Sequence, residues 1–328
     1  MKKNIIVTGG SGFVGQKLIP ILLKLPELES LINIDLISSA IKDPKLSNVY
    51  LDLKNLSSNS LNFLDKSKKF HLFHLAANIF NDEVPKRSNR KNFFVNTNFI
   101  GTKLLLDSLA DKHINAISFL STDMVYGTPK NIPIYETDSF NTNGEYGDSK
   151  ILAENCIVEF SNSRNIPHYI FRPRLIIGPG RFGLLNKLFY LIKNNLPVPL
   201  IGSGNNRYQF ISVYDCAKIL AETFTDDRLS GVYNLGSQNP PKVRLLLEAL
   251  IREAKSSSFL VPTPAKITKS ILSMLDIMNL SLLYPEQYKI ADLDYVLDTK
   301  KLNDEFKYHP KDTDTEMLIQ AYQTYLKT

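Results

Sequence analysis

Asn4-Ile5-Ile6-Val7-Thr8-Gly9-Gly10-Ser11-Gly12-Phe13-Val14-Gly15 decides the fold of this chain. A β-branched run empties into a glycine-rich turn, and an apolar helical pattern follows over 12–25. Strand, tight turn and helix in that order make the first half of a βαβ unit. The chemistry asks for glycine at three places: Gly9 for the turn, Gly12 so that backbone N–H groups can approach a pyrophosphate, and Gly15 for close packing of helix on strand. Phosphates would then rest on the positive end of the helix. The stretch therefore predicts a bound dinucleotide, against the plainer reading of a glycine turn with no ligand.

Farther on, the apolar run Leu31-Ile32-Asn33-Ile34 ends in Asp35. It stands about twenty residues past the last glycine, where an acidic side chain is expected to grip a ribose. Asp35 would accept hydrogen bonds from both ribose hydroxyls and repel a 2′-phosphate. The following Leu36-Ile37-Ser38 brings no Arg or Lys to offset that repulsion, so the expected cofactor is NAD(H) rather than NADP(H). The bland alternative for Asp35 is a turn aspartate after a strand.

The 328 residues, 43% of them hydrophobic, suffice for one large α/β domain plus a smaller lobe. Cys156 and Cys216 fall in helical patterns, lack metal-ligand spacing and are too few for a disulfide framework. A reducing cytoplasm fits that usage, and no metal is expected. After Met1-Lys2-Lys3 only Ile5-Ile6-Val7 precedes the glycines, far short of a signal-peptide core. No apolar run nears the ~20 residues needed to span a bilayer. The net charge of +6 comes from 29 Lys and 10 Arg against 33 acids, scattered over the whole length. Scattered lysines make a solvated surface, whereas nucleic acid asks for a clustered stripe, so neither nucleic acid nor membrane is an expected partner. The sign of the charge suits a small anionic substrate.

Short β-branched runs alternate with longer amphipathic segments through the first half, the pattern of a doubly wound parallel sheet. Strands are predicted over 4–8, 31–35, 49–53, 70–75, 116–121 and 168–172, and helices over 12–25, 94–111 and 146–162. Pro20 should kink the first helix, because it removes one backbone bond. After Pro173 the rhythm breaks at Ile177-Gly178-Pro179-Gly180. A helix over 184–194, a short strand over 197–201, a strand–helix unit over 210–224, a strand over 231–235, and helices over 242–254, 265–283 and 313–326 follow. This divides the chain into a nucleotide-binding domain at 1–173 and a smaller α/β substrate lobe at 174–328, with segments such as 207–235 expected to return to the first domain.

Tyr-x-x-x-Lys occurs four times, at Tyr50/Lys54, Tyr126/Lys130, Tyr146/Lys150 and Tyr214/Lys218. Only Tyr146-Gly147-Asp148-Ser149-Lys150 opens an amphipathic helix of the nucleotide domain, where i, i+4 spacing stacks both side chains on one face. A catalytic Tyr must ionise about 3 units below its free pKa, which takes roughly 4 kcal/mol. A lysine ammonium and the nicotinamide cation could supply that. Tyr146 would exchange a proton with a substrate hydroxyl or ketone while Lys150 holds the phenolate and a ribose. Thr122, at the end of the predicted strand over 116–121, is the candidate hydroxyl that orients the substrate oxygen, since strand ends face the ligand crevice of a parallel sheet.

Taken with His74-Leu75-Ala76-Ala77, Asn98-Phe99-Ile100-Gly101-Thr102, Ser121-Thr122, Val125-Tyr126-Gly127, Arg172-Pro173 and Gly178-Pro179, these motifs make the chain resemble the extended short-chain dehydrogenases/reductases, and among them the NAD-dependent epimerase/dehydratase group. The resemblance covers nearly the whole chain and implies a Rossmann fold with NAD bound. It implies that Asp52 and Leu53 contact the adenine, that Ala76 and Ala77 line the cofactor path, and that Asn98 lies near the active site. It also assigns Phe13, Val14, Leu75, Ser121 and Pro173 to the cofactor. In this family the helices over 94–111 and 146–162 often pair in a homodimer, although their apolar faces could equally pack inside the monomer.

The pattern breaks where a substrate would bind. Sugar-nucleotide 4,6-dehydratases of the family carry Asp-Glu after the catalytic Thr, and here Asp123 is followed by Met124. Without the carboxylate base, water elimination is not expected. Asp123 itself either assists proton transfer or caps a turn. The family's sugar-diphosphate Asn is replaced by Leu175, the substrate-lobe Arg is matched by Arg207 one residue early, and no Arg follows Arg252. Asp123, Met124, Leu175 and Arg207 are the candidate substrate contacts. The leading reading is an NAD-dependent epimerase or oxidoreductase of a nucleotide-linked sugar. The alternative is a dehydrogenase or ketoreductase of a sterol-like or polyketide-like alcohol, favoured by Leu175 and expected to line its lobe with apolar residues of the 271–283 stretch. A third reading, an NAD-binding sensor or scaffold without chemistry, is disfavoured by the intact Thr122, Tyr146 and Lys150.

Overall fold

Eleven strands are present among residues 3–80, 84–225 and 230–328, which the computed structural model describes. They are β1 (Lys3–Thr8), β2 (Leu28–Asp35), β3 (Leu46–Tyr50), β4 (Lys69–His74), β5 (His113–Leu120), β6 (His168–Pro173), β7 (Leu175–Ile177), β8 (Val198–Ile201), β9 (Phe210–Ser212), β10 (Gly231–Leu235) and β11 (Leu260–Thr263). Seven of them form one parallel sheet in the order β10-β6-β5-β4-β1-β2-β3. The chain order reverses beside β1, which pairs with both β2 and β4, and that is where a doubly wound sheet opens a crevice at its carboxyl edge. The fold class is the one predicted.

Side chains alternate across the sheet, so consecutive residues of β1 enter two different cores. Ile5 and Val7 pack with α1 (Gly15–Leu23), whose Leu18 and Leu22 are fully buried. Ile6 faces the opposite side. There it shares a core with α3 (Thr102–Ser108) and α4 (Glu145–Arg164), through Leu105, Leu106, Ala153, Ile157 and Phe160, while α2 (Arg87–Val95), joined to α3 by a wide π turn over Asn96–Gly101, buries Phe94 in a separate cluster with Tyr146. Those side chains of α3 and α4 pack within the chain, while Leu152 of α4 stays exposed. The second lobe is built on α5 (Leu184–Lys193), the pairs β8·β11 and β7·β9, α7 (Val243–Glu253) and α11 (Asp314–Tyr325). Between them in sequence, α6 (Val213–Glu222) crosses back to pack on α1, and β10 joins the main sheet beside β6.

Several boundaries differ from the sequence reading. Strand β3 ends at Tyr50, because Asp52 turns the chain by accepting from Lys54 N at 3.0 Å, and Leu53 opens a one-turn helix. Helix α1 spans Gly15–Leu23, shorter at both ends than the predicted 12–25, with Pro20 inside it. Helix α8 (Ala265–Ile277) stops short of the predicted 283 at a left-handed Asn279, φ 59°. Its Ile267, Ile271, Met274 and Ile277 are exposed rather than turned into the substrate lobe. The short strands β7 and β11 and the short helices α9 (Pro285–Lys289) and α10 (Lys300–Phe306) had no periodic signal. Among the described residues no helix is long and apolar enough to cross a membrane.

Candidate active site

A cavity of about 720 Å³ runs from the glycine turn across the carboxyl ends of β1, β4 and β5 into the second lobe. Every candidate catalytic, cofactor and substrate residue predicted from the sequence lines it except Asn98 and Arg207. Gly9 has φ +72°, and a Cβ there would come within 2.6 Å of the Ala76 backbone nitrogen, so only glycine lets β1 turn against β4 this tightly. Gly15 does its close packing against Gly10 of the turn itself, not against the strand: a Cβ would lie 2.4 Å from Gly10 Cα. Val14 at the start of α1 offers no side-chain cap, although Gln16 N and Lys17 N of the first turn already bond Gly12 O and Val14 O at 3.0 Å each. Asp35 accepts from Ser11 N at 2.9 Å and from Leu36 N at 2.7 Å, the turn role, yet it stays half-buried at the cavity wall where a ribose would lie. A phosphate-accepting turn, an acidic residue at the end of β2 and the apolar Leu53 and Ala76 beyond fit a dinucleotide.

Asn98 sits behind the cavity. Its Oδ1 accepts from Asn78 N at 2.7 Å, and its Nδ2 donates to Asn78 O at 2.9 Å and Ser149 Oγ at 3.0 Å. It therefore clasps the segment that follows β4 to the start of α4, and the π turn that carries it is a common device for aiming such a side chain. Arg207 is diverted: its Nη2 pairs with Asp294 at 2.9 Å and its side chain is 44% exposed.

Thr122, Tyr146 and Lys150 come together at the carboxyl end of β5. Gly147 makes this fit, because any Cβ there would lie 2.6 Å from the Met124 carbonyl. Helix α4 can therefore press Tyr146 against the Thr122–Met124 turn. Thr122 Oγ1 accepts from Met124 N and donates to Asp123 Oδ1, each at 3.2 Å. Rings of Phe80 and Phe94, at 4.7 and 5.3 Å, cover Tyr146. Burial pushes its phenol up to about 12, with Thr122 and Arg181 pulling down and Asp123 pushing up. Lys150 is fully buried over the Phe119 ring and donates to Leu120 O at 2.8 Å. Burial draws its ammonium down to about 7 against the opposing charge of Glu154. The Lys150 ammonium thus rests between the Leu120 carbonyl and the Phe119 ring.

Two arginines follow one another on the β6–β7 edge. Arg172 is completely used: Nε and Nη2 grip Glu154 at 3.1 and 2.6 Å, and Nη1 donates to Tyr126 OH at 2.9 Å and Glu136 O at 3.1 Å. Ser121 donates to the same Glu154. Arg174 lines the cavity and pairs through Nη1 with Asp123 Oδ2 at 2.6 Å. Asp123 is thus neither a free acid nor only a turn cap. Sequence reasoning passed over Arg174, Arg181 and Phe80. Nothing local marks them, although an arginine within the apolar run after Pro173 was a signal that could have been taken.

A family model described as the NAD dependent epimerase/dehydratase family matches residues 5–236. The chain belongs to this family. NAD is accordingly its cofactor. Among curated relatives, protein y4nG of Sinorhizobium fredii is 28% identical over 98% of this chain and 78% of its own length. The dTDP-glucose 4,6-dehydratase of Salmonella typhimurium is 23% identical over 98% of this chain and 92% of its own. Among solved structures, the UDP-glucose 4-epimerase of Thermotoga maritima with UDP-glucose superposes with a TM-score of 0.76 at 20% identity, covering 99% of both chains. At that identity the likeness is one of fold. Family members thus include both epimerases and dehydratases, and the choice between them rests on the residues around Tyr146.

Proposed function

We propose that this protein oxidises a carbinol carbon of a nucleotide-linked sugar and returns the hydride to give an epimer, or releases the ketone. The observation that carries the reading is the meeting of Thr122, Tyr146 and Lys150 in the cavity, with Met124 and not a carboxylate beside them. Bound NAD supplies the acceptor and donor of the hydride. Tyr146 moves the proton on the substrate oxygen, Thr122 orients that oxygen, and Lys150 holds a ribose hydroxyl and the charge of the phenolate. Phe80 and Phe94 keep water from the phenol. Elimination of water needs a base next to the ketone, and Asp123 is held by Arg174 while Met124 has no proton to move. The Thermotoga epimerase was solved with UDP-glucose, and Arg174, Arg181 and Lys187 on this cavity suit a substrate of the same charge.

The test is to incubate the NAD-loaded protein with UDP- and dTDP-linked sugars and read products by NMR. An epimer, or a ketone with stoichiometric NADH, is expected; a 4-keto-6-deoxy product would overturn the reading. Tyr146→Phe should lower turnover at least ~10²-fold with NAD content unchanged. The second reading, an alcohol without a nucleotide, is favoured by one observation: Leu188, Leu191, Val198, Leu200 and Leu246 make the second-lobe end of the cavity apolar. Turnover of such alcohols alone would decide for it.

A further inference from the structure

Arg174 is 2% exposed, lines the cavity, and leaves Nε and Nη2 buried with no hydrogen-bond partner. These two N–H groups lie along one edge of the guanidinium, the edge that takes both oxygens of a carboxylate or phosphate side by side. Arg172, two residues earlier, fills the same edge with Glu154. The rings of Tyr208 and Tyr295 stand 4.3 and 4.2 Å from the Arg174 guanidinium and cover it. Asp123 fixes the remaining nitrogen, and Tyr295 OH donates to the Asp123 carbonyl at 2.8 Å, which braces the pair. A guanidinium held this firmly gains nothing structural from two donors buried unmet, each of which is costly to the fold.

The geometry points to Arg174 as the residue that selects an oxyanion on the substrate: a carboxylate of the sugar or a phosphate of the nucleotide, received on its Nε–Nη2 edge. This rests on the proposed nucleotide-sugar reading and sharpens it. Asp123 links the fork to Thr122, which sets the fork beside the side chains proposed to act on the substrate. It also gives the cavity the cation that Arg207, turned to Asp294, does not provide.

The experiment is calorimetric titration of NAD-loaded wild type and Arg174→Lys with UDP-glucuronate, UDP-glucose and dTDP-glucose. Lysine keeps the charge and the Asp123 pair but removes the fork. A loss of tenfold or more confined to UDP-glucuronate, which wild type would prefer to UDP-glucose, assigns the fork to a carboxylate. An equal loss for every nucleotide sugar that wild type binds assigns it to a phosphate. Unchanged affinity for a ligand that wild type binds overturns the inference and leaves the fork to an ordered water. If wild type binds none of the three, the nucleotide-sugar reading fails and the inference with it. Retained NAD and an unshifted melting curve show that the variant is folded. Should Arg174→Lys unfold, the pair Asp123→Asn with Arg174→Gln removes both charges, and the same losses are expected.

Discussion

Lys150 shows how one side chain carries opposite demands. Its ammonium is buried on Phe119 and the Leu120 carbonyl, which draws its pKa down to about 7 from an ordinary value near 10.5. The folded protein therefore binds fewer protons than the unfolded chain between those values. Stability rises with pH across that window, and the charged lysine is a burden below it. Lys150→Met should stabilise the NAD-free protein at pH 6, on the order of 1–2 kcal/mol, by removing a buried charge. The same change should cut turnover by at least ~10²-fold, because nothing then steadies the Tyr146 phenolate. Urea melts at pH 6 beside turnover measurements test both halves, and a variant less stable than wild type at pH 6 would refute the account of the charge.

Strand β4 lies in the middle of the sheet and carries two fully buried histidines. His71 bonds Ser118 Oγ at 2.8 Å, and His74 bridges Thr8 Oγ1 at 2.6 Å and Thr102 Oγ1 at 2.8 Å. Burial pulls each ring down to about 3, with Lys3 adding to this at His71 and Lys150 at His74. A folded pKa below the unfolded value means stability that is present above about 6.5 and lost as pH falls toward 3. By pH 4.5 each histidine should have removed about 2–3 kcal/mol. In His71→Gln the slope of unfolding free energy against pH over 4.5–6.5 should fall by one proton, and an unchanged slope would disprove the assignment. Elements like β1 were legible from sequence because a β-branched run bounded by turn residues has few alternatives. The glycine turn, Thr122, Tyr146 and Lys150 were legible because their spacing is local and chemical. Arg174 was not, since its meaning comes from Asp123, Tyr208 and Tyr295, three segments that meet only in the fold. Arg207 misled for the same reason: Asp294, far along the chain, takes its charge.

At the scale of the molecule, a cut at Pro173 is a boundary of sequence rhythm and not of packing. Strand β10 supplies the outer partner of β6, pairing Gly231–Leu235 against Tyr169–Pro173. The core that Ile5, Val7 and Leu18 share with Tyr169 and Phe171 is completed by Val213, Leu220, Tyr233, Leu302 and Phe306. Arg172 and Glu154 are also sealed partly by later residues, since Tyr126, which Arg172 holds, donates to Asn234 Oδ1 at 2.8 Å. A fragment of residues 1–173 would lose β10 and leave β6 as an unpaired edge, and it would strip one sheet face of α6 and α10. Uncovering side chains of that size costs about 1.5–3 kcal/mol each, so losing five such partners removes about 7.5–15 kcal/mol, as much as the whole 5–15 kcal/mol margin of an ordinary domain. The fragment is therefore expected to show no cooperative melting and to bind a hydrophobic dye, while the full chain melts in a single transition that NAD shifts upward by mass action. A fragment that melts cooperatively and binds NAD as the full chain does would restore Pro173 as a true domain boundary. It would also separate the dinucleotide site from the lobe that carries Arg174, making the two halves of the cavity independent in stability.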